Sequence, residues 1–263
     1  IIFFVFSIFS LSYGIKNTFF FLPLFLVSLL DDYYNLSNIK RIIFQLATVF
    51  LAYFNSNSYQ FLSNIENPIS NIIYFLCVSI FGLSIINLCN FMDGIDGILS
   101  GNMILILIFC ALRFDISIFI LIGSLIGFLY WNWEPAKIFM GDAGSTFLGA
   151  YLTSIFFNLN NNSNFIALLL ISFPILGDSI ICLIIRFFNK KNIFIAHKDH
   201  LYQRLRKSGW SANKITLTYM LCTTINIIFY VLFGLVACFI SSFLILLFGF
   251  LLHKKFASKL FVQ

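Results

Sequence analysis

The chain has 263 residues, of which 60% are hydrophobic and only 10% charged, with a formal net charge of +6. Its mean hydropathy is +0.98, whereas roughly a quarter of the residues in soluble domains are charged, so a water-soluble globular protein is excluded. The apolar runs show no period-two alternation, which excludes a transmembrane β-barrel and leaves helices, the other structure that satisfies its own backbone in lipid.

Ten hydrophobic segments follow in order, at about 1–13, 18–30, 42–54, 69–89, 98–113, 116–133, 144–157, 165–185, 215–233 and 235–252. The expectation is an all-α, polytopic transmembrane helical bundle of about ten spans in one domain, residues 1–263. The chain starts at Ile1 with no basic region ahead of the apolar run, so no signal peptide is read, and the true N-terminus is expected to be missing. Six cysteines lie in or beside apolar runs with no C-x-x-C pair; they read as small core hydrophobes and imply neither zinc nor disulfides. The 36 phenylalanines, with the abundant Ile and Asn, reflect compositional bias and carry no function.

If the polar breaks alternate between two sides, one side carries Lys40, Arg41, Lys137, the basic residues from Arg186 to Lys214, and Lys254, Lys255 and Lys259. The other side has Lys16 and Arg113 alone, and the basic-rich side is therefore expected to be cytoplasmic. The same parity puts Asp31, Asp32, Asp93, Asp96, Asp142 and Asp199 inside, Glu66 and Asp115 outside, and Asp178 within an apolar run. Five motif carboxylates at the bilayer centre would cost about 3 kcal/mol each, so they are expected at the cytoplasmic interface. The basic tail from His253 is expected to meet anionic headgroups.

Four stretches carry chemistry. Asp31 and Asp32, followed by Lys40 and Arg41, place two repelling carboxylates at a membrane edge, where a shared cation or proton would relieve them. The alternative is an interfacial helix end with snorkelling basic residues. The stretch Asn87–Gly97 (NLCNFMDGIDG) sets Asp93 and Asp96 three residues apart beside Gly94 and Gly97. On a helical turn that spacing puts both carboxylates on one side, a seat for a divalent cation and a phosphate, unless they simply cap a helix. In the third, WNWEPAKIFMGDAGSTFLG, Gly141, Asp142, Gly144 and Ser145 open a helix whose free N–H groups suit phosphate, while Asp142 offers magnesium a hard oxygen. The fourth runs from Phe173 to Trp210 and gathers His197 and His200 among Lys and Arg, which suits a pyrophosphate substrate. His200 and Arg204 are one helical turn apart.

These four motifs in this order resemble the polyprenyl-phosphate N-acetylhexosamine-1-phosphate transferases, glycosyltransferase family 4, which include phospho-N-acetylmuramoyl-pentapeptide transferase and the bacterial N-acetylglucosamine-1-phosphate transferases of O-antigen and teichoic-acid synthesis. The family's N-x-x-N-x-x-D-G-x-D-G is matched by Asn87, Asn90, Asp93, Gly94, Asp96 and Gly97, and its F-M-G-D-x-G-S by Phe139 to Ser145. The resemblance implies magnesium, with manganese as a substitute, on Asp142 shared with Asp93, and uracil stacking on Phe139. It also matches Asp178 to an acidic position of the glycan branch. Where the family has H-x-H-H, this chain has His200, Leu201, Tyr202 and Gln203, which resembles the branch that uses N-acetylated deoxyhexoses such as N-acetylfucosamine or N-acetylquinovosamine. The family's first span and the basic, glycine-containing loop after it are absent here.

The implied enzyme transfers sugar-1-phosphate from a UDP-N-acetylhexosamine to undecaprenyl phosphate and releases UMP, the first membrane step of a cell-surface polysaccharide. Asp31 or Asp32 would orient or deprotonate the lipid phosphate, with Asp93 as the second catalytic aspartate. Asn87, Asn90, Asp96 and Arg41 would help hold the substrates, and His200 with Arg204 would stabilise charge on the donor. The expected setting is a bacterial inner membrane with the site facing the cytoplasm, a homodimer as the protein partner, and no nucleic acid. A rival class, an ion-coupled transporter, needs acids near the midplane, and only Asp178 falls inside a span. A CDP-alcohol phosphotransferase needs further aspartates soon after the D-G pair, and none occurs between Gly97 and Arg113.

Overall fold

The computed structural model describes residues 20–34, 36–62, 67–193, 195 and 197–259. Among the described residues every regular element is helical, and three helices, Pro68–Phe91, Asn162–Phe188 and Ala212–Lys255, are each long and apolar enough to cross a membrane. The protein is an all-α membrane bundle. Its chain forms two compact units, one comprising the chain up to Asn90 with Met140–Phe165, the other Phe91–Phe139 with the chain from Ile166.

The first unit contains α1 (Leu22–Tyr34), α2 (Asn38–Phe54), the short α3 (Asn57–Leu62), α4 (Pro68–Phe91, save its last residue) and α7 (Gly141–Asn158). Helices α1 and α2 both pack on α7 around a core that includes Leu24, Val49, Tyr53, Phe147 and Phe156. A Cβ on Gly149 would lie 2.7 Å from the Cα of Ile86, so the backbones of α7 and α4 touch. Such small residues are how helices approach closely when lipid removes the hydrophobic driving force. At one end Ser28 Oγ and Thr146 Oγ1 pair at 2.9 Å; at the other, the Asn57 side chain donates to the carbonyl of Asn158 and Ser58 to that of Phe157.

The second unit contains α5 (Ile98–Arg113), a 3-10 turn (Ile116–Ile118), α6 (Phe119–Asn132), most of α8 (Asn162–Phe188), α9 (Leu201–Lys207) and α10 (Ala212–Lys255). Helix α5 is apolar on every side and largely buried, packed against α6 and α10. The α10 backbone breaks at Gly234, where φ is 82° and ψ is −168°. Ser241 Oγ donates to Asn226 Oδ1 at 2.6 Å, although residues that far apart along a straight helix would be about 22 Å distant. The ring centroids of Trp210 and Phe256, which flank the element, are 5.8 Å apart. Thus α10 is an antiparallel hairpin of two helical arms.

The expected segments survive with shifted ends. Segment 98–113 is α5, and the gap between 215–233 and 235–252 is the Gly234 break. The 18–30 segment begins at Leu22 as an α-helix and continues to Tyr34, so Asp31 and Asp32 sit inside its last turns rather than beyond it. The seventh segment starts at Gly141, and the long basic loop from Arg186 to Lys214 contains α9. Segment 1–13, Lys16 and Glu66 lie outside the described residues.

Candidate active site

In the first unit the acidic residues converge where α1 ends and α2 and α7 begin. Asp31, 6% exposed, accepts the Leu36 N–H at 2.7 Å. One guanidinium nitrogen of Arg41, in the first turn of α2, donates to Asp31 Oδ2 at 2.8 Å and to Asp142 Oδ2 at 3.1 Å. The carboxylate of Asp32 accepts the backbone N–H of Asp142 at 2.9 Å and that of Ala143 at 3.3 Å. These N–H groups open α7 and are the ones expected to be offered to phosphate; Asp32 occupies them because a carboxylate satisfies a helix N-terminus as a phosphate would. Gly141, at φ 66°, permits this approach, since a Cβ there would lie 2.7 Å from Asp32 Oδ2.

The ring around these carboxylates is also polar. Ser145 Oγ donates to Asn90 Oδ1 at 2.6 Å, and Asn87 Nδ2 donates to Gln45 Oε1 at 2.9 Å. Partial burial pushes the Asp142 carboxyl above its ordinary value; Arg41 opposes that rise, and the carboxylates of Asp31 and Asp32 add to it. Asp31 and Asp142, which share one cationic nitrogen, and the adjoining Asp32 form a set of hard oxygen donors, the chemistry that magnesium takes. The Arg41 nitrogen between Asp31 and Asp142 shows that a positive charge fits there.

In the second unit, Asp93, Gly94, Asp96 and Gly97 lie in a turn between α4 and α5 rather than on a helix. Asp96 Oδ2 accepts the Ala136 N–H at 3.0 Å, and its carbonyl accepts the Thr216 hydroxyl at 2.9 Å. Gly97 has φ 73° and donates its N–H to Asn132 Oδ1 at 3.1 Å. Asn132 also accepts from Ser100 Oγ and donates to the Ile138 carbonyl. It therefore ties the Asp-Gly turn to the loop that carries Phe139, whose ring is 74% exposed. Gly94 lies against the Tyr202 hydroxyl, which donates to the Phe91 carbonyl at 2.8 Å.

The histidine loop is bound inward. Asp178 accepts the N–H groups of Leu201 and Tyr202 and the Tyr219 hydroxyl, so it caps α9. Arg186 pairs with Asp199 and donates to the Asn192 carbonyl. His200 and Arg204 are one turn apart, as expected, with the Arg204 N–H on the His200 carbonyl at 3.0 Å. Both are buried, however, and Arg204 spends its guanidinium on the Ser258 carbonyl at 2.8 Å and on His253 Nδ1 at 2.7 Å. Burial depresses both neighbouring imidazoles, that of His197 to about 4, so they are neutral at pH 7.

Each unit thus gathers a different part of the predicted set. Asp31, Asp32, Arg41, Asn87, Asn90 and Asp142 belong to the first, and Asp93, Asp96, Phe139, His200 and Arg204 to the second. Gln45 and Asn132 are not expected from sequence, because a lone amide beside an apolar run carries no motif, and Tyr202 stands in the signature after His200 without a role of its own.

The fold and the acidic helix ends define an integral membrane protein with a carboxylate-rich site. Residues 15–160 match the profile of Glycosyl transferase family 4, and the chain belongs to that family. It is 32% identical over 203 residues to the undecaprenyl-phosphate alpha-N-acetylglucosaminyl 1-phosphate transferase of Thermotoga maritima, covering 76% of this chain and 65% of the relative. It is 31% identical over 169 residues to the phospho-N-acetylmuramoyl-pentapeptide-transferase of Carboxydothermus hydrogenoformans, covering 61% and 51%. With a probable undecaprenyl-phosphate N-acetylglucosaminyl 1-phosphate transferase of Bacillus subtilis it shares 34% identity over 143 residues, covering 49% and 39%. The matches therefore span about two fifths to two thirds of the length of these curated relatives.

Proposed function

We propose that the protein transfers an N-acetylhexosamine-1-phosphate from a UDP-sugar to undecaprenyl phosphate and releases UMP, facing the cytoplasm of a bacterial inner membrane. The observation that carries this reading is the Arg41 nitrogen held between Asp31 and Asp142 beside an Asp32-capped helix start, in a chain of this family. Phosphoryl transfer needs positioning and charge neutralisation more than covalent chemistry from the protein. Asp142, with Asp31 and Asp32, would hold a magnesium ion, or manganese in its place, and the ion supplies positive charge to the pyrophosphate.

Asp31 or Asp32 would orient the lipid phosphate and accept its proton. Arg41, the cationic side chain of this cluster, would bind a phosphate oxygen. Asn90, held by Ser145, presents its amide to the donor. The family resemblance assigns Asp93 and Asp96 to the nucleotide and the exposed Phe139 to the uracil. Arg204, buried and bonded to the Ser258 carbonyl and to His253, holds its own segment in place rather than touching the donor, and His200 is buried beside it. The donor sugar is a 6-deoxy N-acetylhexosamine on the Leu201, Tyr202, Gln203 pattern, otherwise N-acetylglucosamine as in the names of two relatives, and O-antigen or a related surface polysaccharide is the product's destination.

The transporter reading gains nothing, because Asp178 is committed to the start of α9 and to Tyr219. The test uses the full-length protein in detergent with undecaprenyl phosphate and magnesium, and scores UMP release across UDP-N-acetylhexosamines and their 6-deoxy forms. Release that requires both lipid phosphate and the metal supports the reading. Folded protein that releases no UMP from any donor overturns it.

A further inference from the structure

Cys182, in the last turns of α8, lies beside two imidazoles of the loop that leads into α9. Cys182, His197 and His200 each present a ligand atom, all within 4.8 Å of one another. Cys182 is 4% exposed and His200 2%. The Nδ1 atoms of both His197 and His200 are buried without a hydrogen-bond partner, and an unmet buried polar group is costly. The rings stack at 5.0 Å.

We propose that Cys182, His197 and His200 form a binding site for a borderline-soft divalent cation of the zinc type. One sulfur and two imidazoles are the donors that zinc prefers, whereas magnesium and calcium take oxygen. Bonds of about 2.0–2.3 Å to the ion would bring the ligand atoms to roughly 3.3–3.8 Å apart, a side-chain adjustment of about 1 Å. Three protein ligands leave the fourth position for water or another small ligand. Cys182 also borders a cavity of about 220 Å³, together with Asp178, Asp199 and Arg204, which gives such a ligand room.

Coordination deprotonates the Cys182 thiol and passes its proton to solvent, so binding strengthens as pH rises. The bound ion ties α8 to the loop before α9 and fixes His200. The proposal departs from the sequence reading, in which no cysteine implies a metal, because the spacing across residues 182, 197 and 200 matches no compact motif and only the return of the loop onto α8 brings them together. The site does not depend on the transferase reading, since its occupancy is scored without turnover.

The experiment titrates chelator-stripped, full-length protein in detergent with cobalt chloride and then zinc chloride in the presence of excess magnesium. One cobalt per chain is expected, with a sulfur-to-cobalt charge-transfer band that zinc abolishes, magnesium leaves intact and Cys182→Ser removes, while Cys222→Ser retains it. Absence of the band, or its survival in Cys182→Ser, overturns the proposal. If Cys182→Ser does not fold, zinc-edge X-ray absorption of the wild-type protein decides. A first shell with one sulfur and two imidazoles sustains the site, and a shell without sulfur overturns it.

Discussion

The two units treat charge in opposite ways. In the first, Asp31 and Asp142 share a single arginine while Asp32 caps the start of α7, and Arg41 and Asp142 each keep about a third of their side-chain surface open. In the second, Asp178 satisfies three donors, Arg186 and Asp199 pair beneath the surface, and Arg204 is closed off by the chain end. Carboxylates held together with too little compensating charge cost stability, and such sites persist where a ligand or cation completes them. Carboxylates whose partners are all in place hold the fold. The first arrangement is a place for chemistry, and the second is a clasp.

Removing one carboxylate from each should therefore have opposite consequences. Asp142→Asn is expected to lower turnover by about 100-fold to 1,000-fold, the loss typical when a principal electrostatic group is removed. The proton on Asp142 is bound more tightly in the fold than in the unfolded chain, so its stabilising contribution is complete only below the ordinary carboxylate pKa and is lost as pH rises through the raised value. At pH 7 the charged group thus costs stability, and Asp142→Asn should melt no lower than wild type. Parallel UMP-release and thermal-unfolding assays check both halves; normal turnover would remove Asp142 from the metal site.

Asp178→Ala should do the reverse. It strips a partner from the Leu201 and Tyr202 N–H groups and from the buried Tyr219 hydroxyl. Each orphaned buried donor costs about 1–3 kcal/mol, so a loss of about 3 kcal/mol or more is expected, read as a lower melting temperature in detergent. Turnover per folded molecule should fall far less than in Asp142→Asn. A variant as stable as wild type would show that the clasp is not what holds α9.

Much of the first unit's site is legible in the sequence because carboxylates are costly in so apolar a chain, and each one stands out against its surroundings. Asp31, Asp32 and Asp142 are visible for that reason, as is the break at Gly234, where glycine separates two long apolar runs. Pairing is not legible. Nothing in the order of residues says that Arg41 would bridge Asp31 to Asp142, or that Asp32 would take the N–H groups of α7, because both contacts cross about a hundred residues. Asn132 is hidden for a different reason: flanked by Trp131 and Trp133, it reads as part of an interfacial belt, yet it is buried and holds the Gly97 turn.

That turn offers a smaller test. Gly97 adopts φ 73°, and an added Cβ would lie 3.2 Å from the Trp133 ring. A non-glycine residue in the left-handed region costs roughly 1–2 kcal/mol, so Gly97→Ala should lower the stability of the folded protein by about that amount. Gly127→Ala, with open space around its Cβ, is the control inside a helix and should leave the melting temperature almost unchanged.

The finest test concerns how strongly the first unit's carboxylates depend on their one arginine. Asp142 must be ionised to take a metal, and its raised pKa places the acid limb of kcat/KM above the ordinary carboxylate range of about 4. Arg41 is the group that opposes the rise. Arg41→Gln should therefore move that limb to higher pH, because the ionised form loses its nearest positive charge while burial and the neighbouring aspartates remain. The same variant loses a phosphate ligand, so KM should rise at every pH, and the two effects separate when kcat/KM is normalised to its alkaline plateau. A limb that stays in place while KM rises would mean that Arg41 serves the substrate alone, and that the charge balance of the aspartates is set by the metal.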